Sequence, residues 1–259
     1  MKKENRQNQI LELLEKNGIV EVSELSRLFK TSEMTIRKDL NQLNDNGKLQ
    51  RKYGGAKPYK SQEVPLTEKQ KENFTQKAAI AKAAVSLIEN GDSLLLDAGT
   101  TTEHMAEHLK QISRLVVISN GLNIITKIMM YENLNIYLPE GKVDSKACSI
   151  VGTHAEASLK KYNAKISFIG IDGITLEQGF MNNSHEATAI SGIMLNNSQK
   201  KIVLADSSKF GKIGMISLCP LDGIDILITD SGIPEAYVKA FKSAGVEIII
   251  EPDTSDKNA

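Results

Sequence analysis

Four loops of this 259-residue chain carry side chains that suit recognition of a small phosphorylated polyol. Each loop directly follows an apolar run, and together they hold carboxylates, hydroxyls, an amide and a lysine. The stretches are Asp97-Ala98-Gly99-Thr100-Thr101-Thr102, Ser119-Asn120-Gly121, Gly170-Ile171-Asp172-Gly173 and Ala205-Asp206-Ser207-Ser208-Lys209. A glycine and three threonines at a helix start offer free amides and hydroxyl donors to an anion. Taken singly, each loop also fits a structural role such as a helix cap.

A second set of side chains, near the N-terminus, suits contact with DNA. Thr35, Arg37, Lys38 and Asn41 share one side of a predicted helix. Hydroxyl, cationic and amide groups of this kind reach phosphates and base edges. The basic segment Lys48 to Gly55 follows, and we expect its Arg51, Lys52 and Tyr53 to hold the DNA backbone.

Apolar spacing predicts the small domain that positions this second set. Ile36, Leu40 and Leu43 repeat at helical spacing, and Ser32 is a suitable N-cap. Val22, Leu25, Leu28 and Phe29 predict a preceding helix, and residues 5–17 a first one, with Gly47 ending the third. We therefore predict a winged helix-turn-helix domain at 1–57 and a linker at 58–73, where Pro58 and Pro65 interrupt a polar stretch.

Continuous apolar runs alternate with helical patterns through residues 74–252. Such runs are typical of strands buried on both faces, so we predict a mostly parallel α/β domain. Ligands of these sheets sit at the carboxyl ends of the strands, where the four polar loops lie. The last residues, 253–259, form a polar tail.

The charge distribution agrees with this division. The net charge is zero, but residues 1–60 hold 13 Lys and Arg against 8 Asp and Glu, an excess of five that the remainder balances. A basic head on an acidic body favours nucleic-acid binding at one end. We find no signal peptide or membrane-spanning run and expect a cytoplasmic protein. The two cysteines, Cys148 and Cys219, are expected to be packing residues.

One pattern that could indicate a metal is set aside. His104-Met105-Ala106-Glu107-His108 fits a zinc-protease spacing. Met105 and Leu109 define the buried stripe of that helix, however, and no third ligand is evident. We predict neither a metal nor a cofactor.

The head resembles the DNA-binding domain of DeoR-type bacterial transcription regulators. The resemblance rests on Ser32-x-x-Thr35-Ile36-Arg37-Lys38-Asp39-Leu40 and Arg51-x-x-Gly54-Gly55-Ala56, with Lys38 where arginine is more usual. The four polar loops resemble the sensor domain of the same family, whose fold is similar to ribose-5-phosphate isomerase and glucosamine-6-phosphate deaminase. The resemblance therefore covers about residues 5–250, and it implies a sugar-phosphate effector and, usually, repression that the effector relieves. Ser158-Leu159-x-x-Tyr162 and Gly170-Ile171-Asp172-Gly173-Ile174 resemble family members that control amino-sugar catabolism.

The resemblance and the loops together give the expected effector site. Pro139-Glu140-Gly141 stands where the family commonly has a glycine pair, and Glu186 stands at the family's glutamate. The expected effector-binding residues are Asp97, Gly99, Thr100, Thr101, Thr102, Asn120, Gly141, Asp172, Glu186 and Lys209. Paired half-sites on operator DNA imply a homodimer or homotetramer.

Two alternatives stay open. Asp172 and Glu186 could act as acid and base, so a sugar-phosphate isomerase or deaminase with a DNA-binding head fits the same residues. An activator would share all of this chemistry with a repressor.

Overall fold

The computed structural model describes residues 3–45, 48–58 and 65–252, and the chain divides into two compact units. The smaller covers residues 1–62 with 211–213, and the larger covers 63–210 and 214–259. Gly47, part of the predicted linker (59–64) and the predicted tail (253–259) lie outside the described residues.

The smaller unit is a three-helix domain with a short antiparallel sheet. Its helices are α1 (Lys3–Asn17), α2 (Val22–Leu28) and α3 (Glu33–Asp45). Its strands are β1 (Val20–Glu21), β2 (Leu49–Lys52) and β3 (Gly55–Pro58), in the order β1-β3-β2. A Cβ on Gly55 would lie 2.1 Å from the Val20 carbonyl oxygen, so only glycine lets β1 and β3 approach this closely.

The apolar stripe of α3 is confirmed, since Ile36, Leu40 and Leu43 are all buried. The spacing of Val22, Leu25 and Leu28 also predicts a shared buried face on α2, and this prediction is wrong for Leu28, which is 59% exposed. Each step of three residues falls about 60° short of a full helical turn. Leu28 therefore lies about 120° around the helix from the buried Val22.

A buried ion pair joins α1 to α3. Arg6 Nε donates to Asp39 Oδ2 at 2.5 Å, and the Asp39 side chain is only 2% exposed. Removing one partner of such a pair costs about 3–5 kcal/mol, since the other charge stays buried. We expect Arg6→Met to lower the free energy of unfolding of the head by about that amount, measured by hydrogen exchange of α3 amides.

Two matched variants test the cause of that loss. Combining Arg6→Met with Asp39→Leu removes both charges and is expected to recover most of the stability. Glu33→Gln breaks only the half-exposed pair between Arg37 and Glu33, and is expected to change stability by less than about 1 kcal/mol. An equal loss in the single and double variants would contradict the prediction.

The larger unit contains twelve strands, seven α-helices and three short 3-10 helices within the described residues. The strands are β4 (Ser93–Leu96), β5 (Leu115–Ser119), β6 (Leu134–Tyr137), β7 (Lys142–Asp144), β8 (Ser149–Val151), β9 (Ala164–Gly170), β10 (Gly173–Thr175), β11 (Gly179–Asn182), β12 (Ser198–Leu204), β13 (Ile216–Cys219), β14 (Ile226–Asp230) and β15 (Glu247–Glu251). The helices are α4 (Leu66–Lys69), α5 (Phe74–Val85), α6 (Thr100–Ala106), α7 (Leu122–Ile128), α8 (Thr153–Leu159), α9 (His185–Asn196) and α10 (Glu235–Ser243).

Seven of these strands form a parallel sheet in the order β15-β14-β12-β9-β4-β5-β6. Each matches one of the apolar runs, so the predicted fold class is confirmed. Leu94 and Leu96 enter one apolar core and Leu95 another, which places hydrophobic layers on both faces. The strand order reverses between β4 and β9, where a crevice opens at their carboxyl ends.

The structure differs from the predicted linker at 58–73. Leu66–Lys69 form one helical turn, Leu66 is 7% exposed, and the Leu66 amide donates to the Lys146 carbonyl. The polar composition of this stretch concealed its hydrogen bonds to residues distant in sequence. Residues 65–73 therefore belong to the larger unit. Within the described ranges, no helix is long and apolar enough to cross a membrane.

Candidate functional site

A pocket lies at the carboxyl ends of β4 and β9, where the strand order reverses. The pocket is a cleft that is partly open to solvent. Its lining is Leu66, Lys69, Lys77, Asp97, Ala98, Gly99, Thr100, Thr101, Ala147, Gly170, Ile171, Asp172, Asn182, Ser184, Ala187, Leu204 and Lys209.

Six of the ten expected effector residues line this pocket: Asp97, Gly99, Thr100, Thr101, Asp172 and Lys209. They come from three different loops, after β4, β9 and β12. Gly99 has extended backbone, with φ −158°, so its small size rather than its conformation suits the position. The parallel sheet thus brings together polar groups that lie more than 100 residues apart.

Thr102 and Asn120 support the pocket loop without lining the pocket. The Thr102 hydroxyl donates to the carbonyl oxygens of Asp97 and Gly99, at 2.7 and 3.0 Å, and the residue is wholly buried. Asn120 Oδ1 accepts from the Ala98 amide, and its Nδ2 donates to the Ile150 carbonyl. Both side chains are committed to the backbone and hold the loop in place.

Gly141 and Glu186 also lie outside the lining residues. A Cβ on Gly141 would come within 2.8 Å of Ile150 Cγ2 and the Val151 carbonyl oxygen, so this glycine packs against β8. The Glu186 carboxylate pairs with Lys142 at 3.1 Å, and both side chains are well exposed. The expectation that these two residues contact an effector is not supported by the geometry.

Lys77 is a pocket residue that the sequence analysis missed. It lies on α5, only 2% exposed, and its Nζ donates to the Lys69 carbonyl oxygen. The signal was present in the sequence, because Lys77 shares a helical stripe with the buried Ile80, Ala81 and Ala84. A lysine on an apolar stripe is costly to bury and often marks a function.

Lys77 and Lys209 together form a cationic centre. Burial, and then the charge of Lys209, lower the pKa of Lys77, while Asp206 partly offsets them. Among the described residues, the ion pair at this pocket is that of Lys69 with Asp172. Neither Lys77 nor Lys209 has a described carboxylate at ion-pair distance. Two nearby ammonium groups that lack a carboxylate at ion-pair distance suit a doubly charged anion.

Asp172 and Lys69 form the polar side of the pocket. Lys69 Nζ lies 2.6 Å from Asp172 Oδ1, and the Asn183 amide donates to Asp172 Oδ2. Burial alone would raise the pKa of Asp172, but Lys69 and the Asn183 amide outweigh it and hold that pKa below its ordinary value. Asp172 is therefore an ionised acceptor that can receive hydrogen bonds from ligand hydroxyls.

Asp97 is the second carboxyl group of the pocket and is fully buried. Burial raises the pKa of Asp97 to about 7, although Ser191 Oγ donates to it at 3.0 Å and the Ala98 amide also lowers it. The Asp172 carboxylate adds to the rise. Near neutral pH, Asp97 is therefore divided between its acid and carboxylate forms.

The raised pKa of Asp97 predicts a pH-dependent stability. Because the folded state holds this proton more tightly than the unfolded chain, the contribution is complete below about pH 4 and is lost as pH rises through about 7. Between about pH 5 and pH 8, we expect wild type to lose roughly 3 kcal/mol of unfolding free energy that Asp97→Asn does not lose. The difference between the two proteins should therefore shift by that amount in favour of Asp97→Asn. Urea unfolding at several pH values measures this, and a pH-independent difference would contradict it.

The predicted DNA-contacting side chains divide by exposure. Arg37, Lys38 and Asn41 are exposed on one face of α3, with Met34 beside them. Thr35 is half-buried, and its hydroxyl lies 2.9 Å from that of the capping Ser32. This face presents two cations and an amide in a row, as a helix entering a DNA groove requires.

The wing residues are less uniform. Tyr53 is fully exposed at the turn between β2 and β3, whereas Arg51 and Lys52 are half-buried. The backbone amide of Arg51 donates to Asn44 Oδ1. In the Arg51 side chain, Nη1 is buried without a hydrogen-bond partner. Of the three, Tyr53 is the best placed to touch a partner.

The His104 pattern is explained by packing. The His104 ring makes an edge contact with Phe74 at 4.7 Å, and burial lowers the pKa of His104. Residues 3–45, 48–58 and 65–252 contain no group of three or more His, Cys, Asp or Glu side chains placed to hold a metal ion.

Comparisons with known proteins match both units. The family described as the DeoR C terminal sensor domain matches residues 72–231, and the DeoR-like helix-turn-helix domain matches residues 6–62. The HTH-type transcriptional regulator GolR of Listeria innocua serovar 6a is 32% identical, covering 95% of this chain and 97% of that protein. The glycerol-3-phosphate regulon repressor of Escherichia coli K12 is 28% identical, covering 96% and 99%.

Among solved structures, ribose 5-phosphate isomerase A of Methanocaldococcus jannaschii matches with a TM-score of 0.40 and 20% identity. The match covers 54% of this chain and 55% of that one.

Proposed function

Because the chain belongs to the DeoR family of DNA-binding transcription regulators, we propose that it represses a sugar or amino-sugar catabolic operon and is released from operator DNA by a sugar phosphate. The observation that carries the effector class is the pair of ammonium groups at the pocket, the buried Lys77 and the half-buried Lys209. A phosphate monoester carries about −1.5 to −2 charges at neutral pH, which matches this pair. Membership of a regulator family does not favour the isomerase or deaminase alternative.

The rest of the pocket suits the sugar. The phosphate would lie between Lys77, Lys209 and the Thr100–Thr101 turn, and the hydroxyls near Asp172, Asn182 and Ser184. Asn182 is buried, so a ligand hydroxyl is the natural partner for an amide that faces the pocket. Repression is supported by the name of the Escherichia coli relative, which is a regulon repressor.

The DNA-contacting surface would be the exposed face of α3, with Arg37, Lys38 and Asn41 in the major groove and Tyr53 against the backbone. Thr35 remains a candidate through its proximity to the groove, and Arg51 and Lys52 through their charge. One small head makes few base contacts, so a homodimer or homotetramer on paired half-sites would supply the affinity of a specific cytoplasmic regulator.

Fluorescence anisotropy on DNA from the protein's own promoter region tests this function. Binding is measured at one salt concentration, since a protein contacting roughly 6–10 phosphates loses about 10³–10⁵ in affinity between ~50 and ~200 mM salt. The panel contains ribose 5-phosphate, glucose 6-phosphate, glucosamine 6-phosphate, their unphosphorylated forms and inorganic phosphate. Release by one phosphorylated sugar alone supports the proposal, and DNA binding that no panel member changes would overturn the effector class.

A further inference from the structure

The segment that precedes the sensor core forms one wall of the pocket. We define Pro65–Asn73 as the strap, which consists of Pro65, the helix α4 and the four residues after it. Leu66 and Lys69 of the strap line the pocket, and the Lys69 carbonyl accepts the hydrogen bond of Lys77 Nζ. Without the strap, the pocket loses two lining side chains and the buried Lys77 loses its hydrogen-bond partner.

Polar contacts, rather than apolar packing, hold the strap against the larger unit. Lys69 pairs with Asp172, Gln70 Nε2 donates to Glu103 Oε2 at 2.9 Å, and Asn73 Nδ2 donates to Asp206 Oδ1 at 2.8 Å. At the other end, the Leu66 amide donates to the Lys146 carbonyl. Each contact joins the strap to a residue at least 33 positions away in the sequence. The strap is therefore held by tertiary contacts with the larger unit and not by local structure.

The strap is marginally stable by itself. Its helix has a single turn, and short helices are unfavourable without tertiary packing. Among the described residues of the strap, the buried apolar side chain is that of Leu66. Asn73 at the end of the strap has a left-handed backbone conformation, with φ 52°. A segment with few buried contacts and several polar ones opens at a lower free energy than the core.

We propose that the strap is a ligand-dependent closure, which the effector holds shut by binding between it and the sheet. This inference rests on the sugar-phosphate function proposed above. A ligand that contacts Leu66 or Lys69 binds the protein more tightly when the strap is closed than when it is open. Ligand binding and strap closure therefore favour each other by the same factor. Six residues, 59–64, separate the strap from the last residue of β3.

The coupling between strap closure and effector binding predicts that a strap residue outside the pocket affects the affinity for the effector. Gln70 is suited to the test, because it contacts Glu103 and does not line the pocket. In Gln70→Met, Glu103 keeps Asn123 and Lys127 as partners, so no buried carboxylate is left unpaired. Lys127→Met is the matched control, since it removes another partner of Glu103 from α7 and leaves the strap contact intact.

The experiment is hydrogen exchange of the full-length protein, followed by mass spectrometry of peptides covering residues 66–72, with calorimetric titration of the panel sugar phosphates. We expect a bound sugar phosphate to slow exchange in these peptides about tenfold or more, the factor that corresponds to about 1.4 kcal/mol. In Gln70→Met, exchange without ligand should be faster and affinity about 3- to 10-fold weaker. In Lys127→Met, both should match wild type.

The outcomes separate this inference from the proposed function. If a sugar phosphate binds but leaves strap exchange unchanged, or if Gln70→Met loosens the strap and binds normally, the closure is overturned and the sensor function stands. An affinity loss in Lys127→Met as large as in Gln70→Met would assign the effect to Glu103 and also overturn it. If neither inorganic phosphate nor any sugar phosphate binds, the proposed function fails, and the closure with it.

Discussion

Replacing Lys77 with methionine is expected to weaken effector binding on the order of 100-fold, because truncating a buried charge that pairs with a ligand costs about 2–5 kcal/mol. The loss should come without a loss of fold. Burial and Lys209 lower the pKa of Lys77, which means that the folded state disfavours this ammonium group. The thermal midpoint of Lys77→Met should therefore equal or exceed that of wild type, a pattern typical of a residue kept for function.

Calorimetric titration with the sugar phosphate that releases DNA measures the affinity, and thermal unfolding measures the stability. Lys165→Met is a matched control, because Lys165 is half-exposed on β9 and pairs with Glu89 and Asp92 outside the pocket. Equal affinities in Lys77→Met and wild type would rule out Lys77 as part of the phosphate site. Lys209→Ala is expected to weaken binding as well, and effector-free DNA binding should survive in both variants.

Arg37→Ala is expected to weaken operator binding on the order of 100-fold or more while leaving effector binding unchanged. A good arginine contact with a base is worth about 1–3 kcal/mol, and a two-fold complex loses two such contacts. The ion pair of Arg37 with Glu33 is half-exposed and contributes little to the fold, so stability should hold. Fluorescence anisotropy on operator and on unrelated DNA measures the loss of affinity and of specificity.

Arg27→Ala is the control for charge alone. Arg27 is exposed on α2, where its Nε donates to the Ser23 carbonyl, and it carries the same charge within the same head. If the two variants lose operator affinity equally, the cause is the net charge of the head and not a contact made by α3. If Arg37→Ala binds operator DNA with the same affinity as wild type, the recognition surface lies elsewhere.

The features that could be predicted from the sequence are those with a local signal. The stripe Ile36, Leu40 and Leu43 repeats within one helix, and most of the seven parallel strands contain a continuous apolar run. Loops that follow such strands must meet at one edge, which is why Asp97, Asp172 and Lys209 could be placed together. The choice between regulator and enzyme came from resemblance, since the residues alone left it open.

What the sequence did not reveal depends on contacts between distant residues. Asn120 and Thr102 are polar and lie in the correct loops, but their hydrogen bonds to backbone could not be read from their types. Glu186 heads α9, yet Lys142 takes its carboxylate. Residues 65–73 have the composition of a linker, and it is contacts with distant residues such as Asp172, Glu103 and Asp206 that make them part of a domain.

The fully buried carboxyl group of Asp97 makes protons a second ligand of the pocket. With a pKa of about 7, it is partly ionised at neutral pH, and the negative charge of a bound phosphate raises that pKa further. Effector binding should therefore take up a fraction of a proton, seen as a binding enthalpy that changes with the ionisation enthalpy of the buffer, and Asp97→Asn should reduce this uptake. Under the proposed function, release from operator DNA is expected to respond to acidity as well as to the sugar phosphate, and to need less of the sugar phosphate at lower pH.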